Sequence, residues 1–250
     1  MSDNQSSNTL FHFTKDSRKH PGLENIINIL KTGFEPRFRK EDMNFLFSES
    51  PKREFLIRCI PMVCFCDIPL SRAKIHMENY SNYGIGLKKE WGIEKGISPV
   101  LYIPPIQSKI FHKLFFGRII QSLKTDKELD KNHKEILFGI FNMIKPYKGK
   151  LRKNGKEIVF YNEREWRFIP TIPYNTLYKN CLNKKEKFND VLKREPLDFQ
   201  SSHIKYIIVS KQDEISRIWD EINKIEKYSL DEKKSLCTKL ISAQAINEDF

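Results

Sequence analysis

The chain has 250 residues, 39% hydrophobic and rich in Phe at 18 copies, enough to build one sizeable core. Its formal charge of +12 draws polyanions and makes nucleic acid a candidate partner. Five Cys without an even framework argue against a secreted disulfide scaffold. The opening MSDNQSSNTL is not expected to be a signal peptide, no run reaches membrane-spanning length, and a cytoplasmic location is expected.

In chain order, Leu10–Thr14 (LFHFT) alternates apolar and polar residues and predicts a short strand. A helix follows on Leu23, Ile26, Ile27 and Leu30, with Pro21 at its start and Gly33 at its stop. Glu35–Phe55 is polar and irregular and reads as a loop over one edge. Ile60–Ile68 is a buried strand, and Pro69–Tyr80 a helix with Leu70, Ala73, Ile75 and Met77 partly buried. Tyr83–Leu87 and Val100–Ile103 are strands around a loop at Gly92–Gly96.

Residues 104–146 read as a helical insertion in two helices, carried by Ile110, Leu114, Ile119, Leu123, Ile136, Ile140 and Ile144. Tyr147–Lys156 is a basic turn. Glu157–Pro170 and Ile204–Ser210 each contain a strand, and Glu214–Lys227 is an amphipathic helix. Cys237–Ile246 supplies a last strand or helix. With no repeat and no linker, residues 1–250 read as a single α+β domain.

Several chemistries are excluded by pattern. No Walker loop, no dinucleotide-binding glycine fingerprint and no nucleophile elbow occurs. Cys64-x-Cys66 invites a metal, but no second Cys or His pair stands at ligand spacing. The two thiols are expected on opposite faces of a core strand, and no metal is expected. A nuclease would need an acidic metal site, for which Asp67, Glu163 and Glu165 are the candidates.

The acidic triplet in FYNEREWRFIP carries more. Glu163 and Glu165 are two apart, so on a strand both carboxylates share a face and perturb each other. The bland alternative is a charged edge strand. His12, between Phe11 and Phe13 with Thr14 on its own face, is either a cleft residue or a hydrogen-bonded structural histidine.

LFHFT, a helix ending ILKTGF and a late Glu-led strand together resemble the ADP-ribosyltransferase fold of DNA-modifying toxins of the DarT kind. The resemblance implies an ADP-ribosyltransferase-like split mixed β-sheet core with a helical insertion, and NAD as substrate. It makes Glu165, second Glu of an E-x-E, the catalytic carboxylate, and gives Glu163 the acceptor. It sets His12, with Thr14, on the adenosine ribose, Tyr80 or Tyr83 on nicotinamide, and Arg37 or Arg39 on the pyrophosphate.

Across nearly the whole chain, LFHFTK, ILKTGFEPRF, PMVCFCDIPLS, NYGIGLKKEWG, SPVLYI, FYNEREWRFIP and LISAQAINEDF are similar to the AbiGi group of bacterial abortive-infection proteins. That resemblance implies phage defence and a partner protein from the same defence operon. Cys64, Cys66 and Asp67 stand where transferases place Ser, Thr or Tyr, and no S-P-M-type signature follows them. A second reading therefore stands beside the enzyme: a non-catalytic antitoxin or nucleic-acid-binding component of a defence pair.

Overall fold

The computed structural model describes residues 7–16, 19, 21–46, 57–104, 136, 139–151, 155–171, 192 and 196–249. Most of the expected helical insertion, at 105–135, lies outside the described residues, as does 47–55 of the expected loop.

The chain opens with β1 (Thr9–Phe13) and α1 (Gly22–Thr32). Leu23, Ile26, Ile27 and Leu30 bury one face of α1. The helix stops at Gly33, whose φ of 88° suits glycine, and a Cβ there would stand 2.9 Å from the Leu197 carbonyl oxygen. β2 (Arg37–Asp42) follows where a loop was expected. Only Phe38 of β2 is buried, so the strand carries no apolar alternation, and its charges suit an outer strand. It is held by backbone pairing to β3 (Ile57–Cys66), from Arg37 opposite Met62 to Asp42 opposite Ile57.

A 3-10 turn at Leu70–Arg72 leads into α2 (Ala73–Asn79), which buries Ala73 and Met77 and leaves Ile75 70% exposed, against expectation. β4 (Gly84–Lys88) runs into α3 (Lys89–Glu94), where the glycines of 92–96 read as a loop. Packing overrides propensity here. A Cβ on Gly92 would meet the Leu10 side chain at 2.5 Å, so glycine lets this helix lie against β1.

β5 (Ser98–Pro99), β6 (Leu101–Ile103), β7 (Ile144–Pro146), β8 (Gly149–Lys150), β9 (Glu157–Ile158) and β10 (Glu165–Phe168) follow. β8, inside the expected basic turn, pairs antiparallel with β9, which lies just beyond it. β11 (Ile204–Val209), α4 (Glu214–Asn223), α5 (Leu230–Cys237), β12 (Leu240–Ser242) and α6 (Ala243–Asp249) close the chain.

The main sheet runs β12-β11-β4-β1-β3-β10-β5, with β2 also on β3, and is mixed because β11 and β12 are parallel. β1 and β3 meet at a single register position, Phe11 opposite Cys66. That join divides the sheet into a β1-side half and a β3-side half. α1, α4 and α5 cover one face, in a core with Ile26, Leu30, Phe65, Ile85, Ile207 and Leu236. α2 and α6 cover part of the other, against Phe11, Cys66 and Ile208. Cys64 and Cys66 share a face, contrary to expectation, because strand side chains repeat every two residues.

Candidate functional site

The stretch before β10 is not strand. Phe160–Glu163 forms a 3-10 turn, and Arg164 ends it in the left-handed region at φ 45° and ψ 53°. A non-glycine residue there is strained and marks an over-determined site. The Arg164 carbonyl accepts from Asp67 N–H at 3.0 Å, tying the turn to the end of β3. The kink brings Glu163 and Glu165 to the same place by a route other than strand alternation.

What joins them is Lys145 of β7, which sequence reading passed over. Its ammonium donates to Oε2 of Glu163 and to Oε2 of Glu165. Arg167 Nε donates to Oε1 of Glu165 at 2.6 Å, and its Nη1 to the Asn142 carbonyl at 2.7 Å. The Tyr80 hydroxyl donates to Oε1 of Glu163. Glu165 N–H donates to the Tyr102 hydroxyl at 2.8 Å. Glu163 and Glu165 are each 8% exposed and Arg167 2%, so four charges are buried together, two of each sign.

Burial alone would raise the Glu165 carboxyl, but Lys145 and then Arg167 more than offset it and hold it at about 2. Burial would lower Lys145, yet Glu165 and Glu163 raise it above its ordinary value. Glu165 is thus a fixed anion, with each carboxylate oxygen engaged by a cation.

An aromatic file leads to this cluster. Phe11 stacks on Phe13 at 6.0 Å, Phe13 meets His76 at 4.9 Å, and His76 meets Tyr80 at 4.6 Å. Burial pushes His76 down to about 3, and Tyr80, although 40% exposed, is raised by partial burial and by the Glu163 carboxylate its hydroxyl meets.

The other candidates lie apart. Phe11, Cys66 and Glu165 are cross-strand partners in one row, so they share a face and His12 takes the other. The His12 ring packs edge-on against Phe34 at 5.1 Å and Phe65 at 5.8 Å, and its Nδ1 bonds the Cys64 carbonyl at 2.8 Å across the join of the two half-sheets. Burial lowers it to about 4, with Arg39 and Arg37 acting the same way against that hydrogen bond. Tyr83 donates to Glu214 at 2.7 Å, and its carbonyl accepts from buried Thr14 N–H at 2.9 Å. Arg37 is exposed on β2 and pairs with Glu35 at 3.3 Å. The structure therefore brings together Glu163, Glu165 and Tyr80, and leaves His12, Thr14, Tyr83 and Arg37 elsewhere.

Asp67 is engaged by Lys89 at 2.7 Å and by Ser7 N–H at 2.8 Å. Among the described residues no group of three His, Cys, Asp or Glu could hold a metal, and no helix is long and apolar enough to cross a membrane.

Comparison with known proteins sets the biology. Residues 32–210 match the family model described as "Putative abortive phage resistance protein AbiGi, antitoxin". The chain is a phage-resistance protein by class, and it belongs to the AbiGi family. It is similar to "Abortive phage resistance protein AbiGi" of Lactococcus lactis subsp. cremoris, 29% identical over 254 residues, which span 87% of this chain and 99% of that protein. No solved structure matches.

Proposed function

We propose that this chain serves abortive phage resistance as an NAD-dependent ADP-ribosyltransferase, with Glu165 as its working carboxylate. The acceptor is a nucleic acid or a protein; where water takes its place, the same site is an NAD glycohydrolase. The carrying observation is a buried Glu165 paired with Lys145 and Arg167 at the start of a strand, directly after a strained left-handed residue, with Glu163 and Tyr80 beside it. Clusters of perturbed ionisable groups concentrate at working sites.

The residues fit half of the dinucleotide. A fixed anion beside a tyrosine suits the nicotinamide ribose, whose bond to nicotinamide breaks with oxocarbenium character. On this reading Lys145 and Arg167 keep Glu165 ionised, and Glu163, hydrogen-bonded by Tyr80, orients the acceptor. His12 and Arg37 lie away from these carboxylates, so they have no part in this reading. The site is asked to stabilise a cation, not to shuttle a proton, because a carboxyl held at about 2 gives up its proton throughout the working range.

One observation favours a second reading. Both oxygens of Glu165 are already engaged, as in a closed structural centre, and the matched family description carries the word antitoxin. On that reading the chain restrains a toxin from its own defence operon. The two are separated by incubating the protein and Glu165→Gln with labelled NAD and phage-infected lysate. Label transfer or nicotinamide release by the unaltered protein alone supports the enzyme. No turnover and no NAD binding, with silencing of a co-expressed neighbouring toxin, sinks the enzyme and supports the partner.

A further inference from the structure

We propose that Tyr147 and Tyr161 form a stacking platform for single-stranded nucleic acid, with Lys148 and Lys150 contacting its phosphates. Binding at this surface goes beyond the reading above and needs no turnover of NAD.

The two rings stack on each other, centroids 5.6 Å apart and planes 24° apart, yet Tyr147 is 37% and Tyr161 46% exposed. Large rings left in water on a fixed frame are what a base can cover. The frame is backbone. Tyr161 N–H donates to the Tyr147 carbonyl at 3.2 Å, and Tyr147 N–H to the Ile103 carbonyl at 2.7 Å. On its inner side Tyr161 meets Tyr102 edge-on at 5.4 Å.

Charge picks the partner. The twelve residues from Lys145 to Lys156 include six Lys or Arg and no Asp or Glu. Of these, Lys148 directly follows Tyr147 and Lys150 stands on the β8–β9 hairpin opposite Glu157, and both lysines are exposed. Gly149 holds that hairpin close, since a Cβ there would stand 2.7 Å from the Phe160 ring. An acidic peptide would use the lysines but not the ring pair, whereas a single strand uses both. Duplex hides its base faces and offers only phosphates.

The platform also adjoins the carboxylates. Tyr102 packs on Tyr161 with its ring and takes the Glu165 N–H on its hydroxyl. A base stacked on Tyr161 is therefore two side chains away from Glu165.

The test uses full-length protein and a short fluorescent oligothymidylate, its RNA counterpart and a duplex of equal length, read by anisotropy at low and physiological salt. Single strands should bind more tightly than duplex. Tyr147→Ala/Tyr161→Ala should weaken them by roughly 10- to 100-fold, the range that stacking losses give. Tyr147→Phe/Tyr161→Phe keeps the rings and should stay within about twofold. Lys148→Glu/Lys150→Glu should weaken binding and flatten its salt dependence. Binding is read without NAD, so failed NAD chemistry and a failed platform give different results. If the alanine pair does not fold, Tyr147→Leu/Tyr161→Leu keeps the bulk, removes the aromatic face and should show the same loss. The proposal is overturned by no single-strand binding at low salt, by equal affinity for duplex, or by ring-free variants that bind normally. Binding lost only on lysine reversal also overturns it, by reducing the surface to simple charge.

Discussion

Lys145→Met is the sharpest perturbation of the buried cluster. It takes the shared cation away from two carboxylates that are each 8% exposed. Glu165 is held at about 2 against an ordinary 4.5, a gap of about 2.5 units, or about 3 kcal/mol of folding stability at 1.36 kcal/mol per unit. Lys145 is the larger of its two cationic partners. Orphaning a buried charge typically costs about 3–5 kcal/mol, the loss expected for this variant. The sign with pH follows. In the unaltered protein the lowered Glu165 adds stability above pH 4.5 that is lost as pH falls toward about 2. In the variant, two like charges face each other, and one carboxyl takes up a proton more readily than in the unfolded chain. Its deficit is therefore full at neutral pH and shrinks on acidification. Urea unfolding across a pH series measures both, and Lys145→Met/Glu163→Gln should regain more than half of the loss. A loss below about 1 kcal/mol, or one that acid leaves unchanged, would refute the idea that this lysine holds the carboxylates in place.

Three further outcomes follow from named contacts. His12 and His76 are lowered to about 4 and about 3 from 6.5, so the unfolded chain takes up protons that the folded one refuses. Stability should fall as pH drops from 6.5 through those values, and His12→Gln should reduce the slope of urea midpoint against pH. Gly22→Ala would place a Cβ 2.1 Å from a Tyr83 ring carbon, so a loss of about 1–3 kcal/mol is expected by chemical denaturation. Arg164→Gly should be neutral or stabilising by up to about 1 kcal/mol, whereas Arg164→Val should cost about 1–2 kcal/mol, by the same assay.

Much of the fold was legible because its elements are short and strongly patterned. The apolar spacing of Leu23, Ile26, Ile27 and Leu30 predicts α1, and the Ile-rich run at 204–209 predicts β11. β2 was not legible, since a strand pinned by backbone pairing needs no apolar alternation. α3 was hidden by glycines whose reason is the closeness of Leu10, a tertiary fact. Of the site, the convergence of Glu163 and Glu165 was legible, although its cause is a left-handed turn and not a strand face. Arg167 could have been found, being two residues from Glu165 on one strand. Lys145 could not, because nothing local ties a lysine before a proline to carboxylates 18 and 20 residues on. His12 and Glu165 looked like partners in one cleft, and only the register that puts Phe11, Cys66 and Glu165 in one row separates them.

The sheet order also governs when this molecule can exist during synthesis. β4 and β1 lie inside the sheet, yet the neighbour that covers β4 is β11, made about 120 residues later. Tyr228 closes the same core by donating to the Leu30 carbonyl, 198 residues away in sequence. A nascent chain cut short before Ile204 would present the apolar edge Gly84–Leu87 unpaired, an invitation to aggregation and proteolysis. The carboxylates meet their lysine across only 18 and 20 residues, but the wall they rest on, β3, is a hundred residues upstream. Interrupted translation should therefore yield little stable fragment, because the strand and helices that complete the main core arrive with the last fifth of the polypeptide.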